Sequence, residues 1–325
     1  MSSEKISKKA GSSCYSFFKK RSFTTESLLL CLTIILFIFF SVTSPSFMTF
    51  DNIGNLLKQT SINGIVAIGM LFVIISAGID ISVGATVGLS GIVVALLLRS
   101  GMQIPSSIIV SILMCTLVGI VNGVLIYDGK VPSFIATLGM MTIVRGVIML
   151  VSNAEMVANL PDNFTEIAQV TFLGIPFMAV IWFIIIILGY LISKYTVFGR
   201  NVYAVGSNTE CARLSGINVR KTTYGIYVLC ALLSAIAGIL MTARLGNGVP
   251  TGGAGYETDA IAAAVVGGAS LSGGEGTIIG TVLGAIIIQT IRQGGNLLGV
   301  NSFILDIIVG IFLIIAVLLD KMKKK

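Results

Sequence analysis

The sequence predicts an all-α polytopic membrane protein with about ten transmembrane helices and both termini in the cytoplasm. Of its 325 residues, 55% are hydrophobic and only 11% are charged, against about 25% charged in an average soluble domain. The apolar residues form long runs, and basic residues cluster between them. A soluble enzyme, a disordered protein and a disulfide-rich secreted domain are excluded, because none of them can hold so much aliphatic surface away from water.

Ten apolar runs, separated by polar or glycine-rich breaks, predict the helices. They lie at 27–44, 61–79, 82–99, 104–126, 132–151, 171–192, 223–243, 258–273, 276–293 and 302–319. A helix needs about 17–25 residues to cross a bilayer, and several runs are close to the lower limit. Broken or re-entrant segments within 61–99 and 258–293 are therefore an open alternative to full spans.

The basic residues predict the orientation of these helices. Most of them lie in a leader (1–26), a central loop (193–222) and a tail (321–325). Ten spans that start in the cytoplasm place all three segments inside, and they place the acidic stretch 152–170, which has no Lys or Arg, outside. We therefore assign the net charge of +7 to topology rather than to nucleic-acid binding. A single transmembrane domain is expected at 27–320.

Two of the breaks between apolar runs contain similar four-residue fragments. Ala77-Gly78-Ile79-Asp80 and Ala254-Gly255-Tyr256-Glu257 occupy the same place in two four-run blocks. The predicted orientation puts them on opposite sides of the membrane, as an inverted repeat of 61–151 and 223–319 would. Coincidence explains a four-position match equally well.

Glycines also recur at spacings of three and four residues within the runs, which predicts close helix packing. They include Gly84, Gly88, Gly91, Gly119, Gly123, Gly276, Gly280 and Gly284.

The central loop contains a predicted short helix. Ser207 or Asn208 can cap a helix over Thr209–Leu214, with Gly216 and Asn218 ending it. We expect this helix to present Ala212, Leu214 and Cys211 to a partner, with Glu210 and Arg213 at the rim. A helix that lies on the membrane surface and binds nothing is the alternative.

Polar residues within apolar runs are costly in lipid and are therefore candidates for a solute pathway. The pathway candidates are Asn63, Asp80, Asn122, Arg145, Glu257 and Asp259, and Gln289 and Asp306 are further polar residues within the runs. Each class also has a structural interpretation. The two aspartates can cap helices, the arginine can reach the membrane interface as an anchor, and the asparagines can join helices by hydrogen bonds.

The chain shows no motif for chemistry of its own. It has no histidine, its five cysteines form no CxxC pair, and no GxxxxGK[ST] phosphate-binding loop occurs. We therefore expect neither a metal nor a cofactor in this chain, and any ATP must be hydrolysed elsewhere.

Four segments resemble the membrane permeases of bacterial ATP-binding-cassette importers for monosaccharides. They are ISAGIDISVG at 75–84, VPSFIATLGMMTIVRG at 131–146, FGRNVYAVGSNTECARLSGINVRK at 198–221 and GYETDAIAAAVVGGASLSGGEGTIIGTVLGA at 255–285. The likeness runs from about Pro45 to the last apolar run. The basic leader and tail lie outside it.

The resemblance implies a multi-pass protein of the bacterial inner membrane that forms a translocation pore with a second permease copy. A cytoplasmic ATPase and an extracytoplasmic sugar-binding protein are the other implied partners, and the ATPase uses the ATP. Ribose is the first expected substrate, with xylose, allose, galactose or a related sugar open. The implied ATPase-coupling element comprises Gly206, Asn208, Glu210, Ala212, Arg213, Leu214, Ser215 and Gly216.

The residues favour two other classes of function less strongly. An ion-coupled secondary carrier would suit an inverted repeat and intramembrane carboxylates, but it has no use for a thirty-residue basic cytoplasmic loop. A membrane enzyme acting on lipid is disfavoured, because without histidine or paired carboxylates in a span it lacks a general base or metal site. The importer is the preferred interpretation, and the chain is then not an enzyme.

Overall fold

A computed structural model describes residues 25–172 and 174–323, and the predicted basic leader lies almost wholly outside them. The described residues are mostly helical. Their helices are α1 (Thr25–Thr43), α2 (Phe50–Ile75), α3 (Val83–Arg99), α4 (Ile104–Gly123), α5 (Ser133–Ser152), α6 (Asp162–Thr165), α7 (Phe177–Tyr195), α8 (Val197–Ser207), α9 (Thr209–Leu214), α10 (Val219–Leu245), α11 (Tyr256–Val266), α12 (Ile278–Leu297) and α13 (Ser302–Lys323). A π-helical turn, Val124–Asp128, extends α4, and a 3₁₀ turn, Glu166–Ala168, follows α6. A small antiparallel hairpin pairs β1 (Thr171–Phe172) with β2 (Ile175–Pro176).

The predicted all-α membrane class is confirmed. Eight helices of the described residues are long and apolar enough to cross a membrane, namely α1, α2, α4 with its π turn, α5, α7, α10, α12 and α13. Helix α3 has 17 residues and α11 only 11, so neither α3 nor α11 is among the eight. The count of ten full spans therefore stays a prediction, and the alternative of broken segments applies to these two helices.

Three helix boundaries differ by more than five residues from the apolar runs that predicted them. Helix α2 begins eleven residues before its run, because polar side chains pair at its outer end: Gln293 Nε2 donates to Asn52 Oδ1 at 2.6 Å. Helix α7 begins at Phe177 rather than 171, since the hairpin occupies the intervening residues. Helix α11 ends at Val266 instead of 273.

The early end of α11 has a packing cause. Gly267 lies against the backbone of Gly280 in α12, and Gly268 adopts a left-handed φ of +94°. Residues with a side chain tolerate neither condition well. The apolar character of 267–273 therefore belongs to a packed turn rather than to helix.

The loops gather at the two ends that the charge pattern predicts. At the predicted outer end, Val157 and Gly248 form an isolated β-bridge. At the predicted cytoplasmic end, Gly274 N donates to Ile75 O at 2.8 Å, and Thr277 Oγ1 donates to Glu26 at 3.0 Å. Loops assigned to one side thus contact others assigned to that side.

Two non-helical segments enter the helix bundle from opposite ends. The segment 76–82 leads into α3, and its backbone N–H groups at Ile79 and Ile81 donate to Ser133 Oγ and Thr137 Oγ1 of α5 at 3.2 and 3.1 Å. The segment 246–255 runs beside α3 and leads into α11. Buried irregular backbone needs such partners, because lipid offers no hydrogen bonds.

The two halves of the bundle, called the four-helix blocks, are α2–α5 and α10–α13, and each packs on the other in the same way. Helices α2 and α10 lie against each other at the centre, α3 and α4 pack on α10, and α11 and α12 pack on α2. Each block thus places its second and third helices on the first helix of the other. An inverted repeat would give this arrangement, so packing supports the interpretation that the short sequence match left open.

The predicted close packing at glycines is confirmed. A Cβ on Gly119 of α4 would lie 2.6 Å from the carbonyl oxygen of Tyr227 in α10. A Cβ on Gly284 of α12 would lie even closer to the carbonyl oxygen of Ala263 in α11. Small residues bring the helix backbones together here, where dispersion replaces the hydrophobic effect that lipid does not supply.

Candidate functional site

Helices α8 and α9 form the central loop and lie at the predicted cytoplasmic end. Asn208 Oδ1 accepts a hydrogen bond from Cys211 N at 2.9 Å, which caps α9 at its N-terminus. After α9, Gly216 has a left-handed φ of +84°, and Asn218 caps α10 by accepting from Lys221 N. The predicted helix Thr209–Leu214 and its boundaries are confirmed.

The outer face of α9 carries an exposed apolar side chain beside an ion pair. Leu214 is 73% exposed, and Cys211 is also exposed. Arg213 Nε donates to Glu210 Oε2 at 3.0 Å. This hydrogen bond and the positive charge hold the pKa of the Glu210 carboxyl below its ordinary value, so the pair is ionised at neutral pH.

Two members of the predicted coupling element do not face outward. Ala212 is buried and packs near Val205 and Val219, so the expectation that it is presented to a partner is wrong. Gly206 is buried against the backbone at Ile75, where a side chain would collide. Both residues therefore seat the element on the bundle. In a helix of six residues, sequence periodicity cannot decide which face packs inward.

A second polar cluster ties the cytoplasmic ends of α4 and α10 together. Arg220 Nε lies 3.0 Å from Asp128 Oδ1, and the Tyr224 hydroxyl donates to Asp128 Oδ2. The cluster was not predicted, because its members are 92 and 96 residues apart. It links the π turn of α4 to the helix that follows α9.

Asp80 lies at the start of α3, and its hydrogen-bonded surroundings, called the neutral corner, contain only uncharged side chains besides its own carboxylate. Its Oδ1 accepts hydrogen bonds from Ser82 N at 2.9 Å and Ser82 Oγ at 2.6 Å. Asn122 of α4 donates to the same serine hydroxyl at 3.0 Å. All three residues are at most 2% exposed, and within the described chain Asp80 forms no ion pair. The structural interpretation of Asp80, as a carboxylate beside a helix N-terminus, describes this corner.

Asp259 lies in a charged corner at the first turn of α11. Arg292 of α12 bridges two carboxylates: its NH2 lies 2.6 Å from Asp259 Oδ1, and its NH1 lies 2.8 Å from Asp306 Oδ1 of α13. Asp259 is buried while Asp306 is exposed. The triad therefore joins three helices and reaches from the bundle interior to its surface.

The charged corner forms one wall of a polar cavity of about 540 Å³. Helices α2, α10, α11, α12 and α13 and the segment 246–255 surround the cavity towards the predicted outer end. The lining residues are Gln59, Asn63, Arg244, Ala254, Gly255, Tyr256, Thr258, Asp259, Gln289, Arg292, Asp306 and Val309. This volume lies within the range of about 300–1,000 Å³ that is usual for small-molecule sites.

The structure separates the predicted pathway residues into three groups. Asn63 and Asp259 line the cavity, whereas Asp80 and Asn122 belong to the neutral corner. Arg145 NH1 donates to the carbonyl oxygen of Gly252 at 2.8 Å, so it anchors the segment 246–255. Glu257 accepts from Gly255 N at 3.2 Å and lies against Gly84 at the start of α3.

Arg292 is the main site residue that sequence reasoning missed. It lies near the outer end of an apolar run, where an arginine is usually an interfacial anchor. Gln59 and Arg244 were missed because each lies just outside its predicted apolar run, 61–79 and 223–243 respectively. The signal that could have identified Arg292 is the presence of Asp259 and Asp306 in the two neighbouring runs.

The chain matches the family described as "Branched-chain amino acid transport system / permease component" over residues 52–317. It is 45% identical over 291 residues to the ribose import permease protein of Bacillus subtilis (strain 168), covering 89% of this chain and 90% of that protein. It is 40% identical over 315 residues to the ribose import permease protein of Escherichia coli (strain K12), covering 95% of this chain and 97% of that protein.

A xylose transport system permease protein of Haemophilus influenzae (strain ATCC 51907 / DSM 11121 / KW20 / Rd) is 36% identical over 372 aligned positions, covering 95% of this chain and 99% of that protein. No solved structure gives a significant match. The family match covers more than three quarters of the chain and includes both four-helix blocks and the central loop. The chain is therefore a multi-pass membrane protein that belongs to this family of transport-system permease components.

Proposed function

We propose that this chain is the translocation-pore subunit of an ATP-driven importer for a monosaccharide, with ribose as the first candidate. The observation that carries the proposal is identity of 36–45% to ribose and xylose permeases along nearly the whole chain. The family description names branched-chain amino acids instead. At this level of identity the curated relatives are the narrower guide to the substrate.

The cavity supports a neutral substrate. Its charged side chains are two arginines and two aspartates, so their formal charges cancel. A zwitterionic amino acid would need a free carboxylate for its ammonium group, but both aspartates are already bridged by Arg292. A neutral sugar needs hydrogen-bond partners instead, which the amides and hydroxyls of the lining can supply.

We further propose that α9 is the surface on which a separate ATPase docks. Its exposed Leu214 offers an apolar anchor, and the ionised Glu210–Arg213 pair offers rim contacts of both signs. An apolar centre with a polar rim is the usual anatomy of a protein interface. A second copy of the permease and an extracytoplasmic sugar-binding protein complete the proposed transporter.

A panel of transported solutes tests the substrate assignment. The complete transporter, with its ATPase and binding protein, is assembled in proteoliposomes, and uptake of radiolabelled ribose is measured against unlabelled ribose, xylose, galactose and leucine. We expect competition by one or more sugars and none by leucine. Uptake of radiolabelled leucine, but not of radiolabelled ribose, by the same proteoliposomes would replace the proposal with amino acid transport.

Substitutions that place a negative charge on α9 test the docking surface. We expect Arg213→Glu and Leu214→Glu to abolish uptake while the amount of inserted protein is unchanged, because both side chains are exposed and support no internal packing. Lys221→Glu, an exposed basic residue of the same loop outside α9, serves as the matched control. If Arg213→Glu and Leu214→Glu import at the control rate, α9 does not couple to the ATPase.

A further inference from the structure

The cavity beside α11 contains buried polar atoms that have no partner within the described chain. Asn63 of α2 is 9% exposed and Gln289 of α12 is 2% exposed. Both side chains line the cavity. The Asn63 Oδ1 acceptor and the Gln289 Nε2 donor make no hydrogen bond, and neither does Arg292 Nε.

Such atoms are unusual in a folded protein, because an unpaired buried donor or acceptor loses its hydrogen bonds to water without replacement. Here an acceptor and two donors border one cavity. Hydroxyl groups are their natural complement, since each hydroxyl can donate one hydrogen bond and accept two. A ligand rich in hydroxyls would satisfy donors and acceptors together.

The surroundings favour a neutral polyol of modest size. Arg292 is held between Asp259 and Asp306 at 2.6 and 2.8 Å, so its charge is compensated within the protein. Tyr256, at the first turn of α11, lines the same cavity and offers an aromatic face. Sugars stack on such faces through their C–H surfaces while their hydroxyls seek polar partners.

We infer that this cavity is a substrate-binding subsite within the permease, in which Asn63 and Gln289 hydrogen-bond the hydroxyls of a monosaccharide and the Arg292 triad shapes the wall. The inference rests on the proposed function and adds a residue-level site to it. The subsite lies near the predicted outer end, where a sugar released by the binding protein would enter. It gives the permease a selectivity of its own.

Isosteric substitutions test the subsite. Asn63→Leu and Gln289→Met retain volume but remove the hydrogen-bonding atoms, and each is expected to lower the kcat/KM of ribose uptake by the complete transporter about tenfold. Thr290→Val is the matched control. Thr290 is the next residue of α12 and is also buried with an unpartnered hydroxyl, but it does not line the cavity. We expect Thr290→Val to transport like the wild type.

A labelling experiment tests occupancy directly. Thr258 lines the cavity and is exposed, so Thr258→Cys is made in a background in which Cys14, Cys31 and Cys211 are serine. A membrane-impermeant maleimide is added to the outer face, and the labelling rate is measured with ribose or leucine. We expect ribose to slow the labelling and leucine at the same concentration to leave it unchanged.

The outcomes separate this inference from the proposed function. If the wild-type transporter imports ribose, but Asn63→Leu and Gln289→Met behave like Thr290→Val and ribose does not slow labelling, the subsite is wrong while the function stands. If the wild type imports no sugar at all, the proposed function itself fails. Slower uptake in both variants together with ribose protection at position 258 establishes the subsite.

Discussion

The neutral corner at Asp80 and the charged corner at Asp259 occupy corresponding places in the two four-helix blocks. Each carboxylate lies at the start of the short second helix of its block and is almost fully buried. Asp80 has a serine and an asparagine around it, whereas Asp259 is bridged by Arg292 to a third helix. Similar architecture thus gives one compact corner of neutral hydrogen bonds and one charged corner that opens into a cavity.

Corresponding corners of two similar blocks can thus have different tasks. The neutral corner has partners that hold α3, α4 and the segment 76–82 together, and Asp80, Ser82 and Asn122 do not line the polar cavity. The charged corner joins α11, α12 and α13 through a single arginine next to a polar cavity. We infer that the first corner serves mainly folding and that the second serves passage of the solute.

The largest expected effect is on the charged corner. Arg292→Met removes the cation and leaves the Asp259 carboxylate buried without a partner, which typically costs about 3–5 kcal/mol. We expect a marked fall in the thermal unfolding midpoint of the detergent-purified protein. The double variant Asp259→Leu with Arg292→Met should recover much of that loss, because no buried charge is then unpaired. A single variant as stable as the wild type would show that the pair does not hold the corner together.

A smaller effect is expected at Gly84, which lies between the two corners. A side chain there would collide with Glu257 and with the carbonyl oxygen of Gly253, so Gly84→Ala must push α3 away from the entering segment 246–255. Overpacking of this kind costs about 1–3 kcal/mol. Gly146→Ala in α5 is the control, since nothing lies within 4 Å of its Cβ position. Equal unfolding midpoints for the two variants would contradict the described contact.

The smallest effect is expected at the neutral corner. Asp80→Asn keeps an acceptor oxygen for Ser82 and breaks no ion pair among the described residues, so it should destabilise the protein by less than about 1 kcal/mol. Asp80→Ala should cost more, because Ser82 N and Oγ lose their shared acceptor. Thermal unfolding of the two variants side by side makes the test. A collapse of stability in Asp80→Asn would mean that the charge itself has a function and that the comparison is mistaken.

The sequence predicts well whatever depends on neighbouring residues or on average composition. Membrane class, the assignment of loops to two ends and the capped helix α9 follow from hydropathy, charge bias and an Asn208-to-Gly216 signal that spans nine residues. These features need no knowledge of which helices touch. The resemblance of four sequence segments to a permease family likewise needs no knowledge of helix contacts, and it predicted the family.

What could not be predicted depends on contacts between distant segments. Arg292 is 33 residues from Asp259, and nothing local distinguishes it from an interfacial anchor. Helix α11 ends at Val266 because Gly267 packs against the backbone of Gly280. Ala212 faces inward because it packs with Val205 and Val219. Each of these features depends on which distant segments pack together. Local sequence patterns do not show that.

The most direct test of the proposed ATP-driven importer is whether transport depends on a separate ATPase. Ribose uptake into proteoliposomes is measured for the chain alone and for the chain with its ATPase, binding protein and internal or external ATP, each with and without an ionophore that dissipates ion gradients. We expect accumulation against a gradient only when ATP is on the ATPase side, at a rate the ionophore does not change. Uphill uptake by the chain alone, lost on adding the ionophore, would show an ion-coupled carrier and contradict the account.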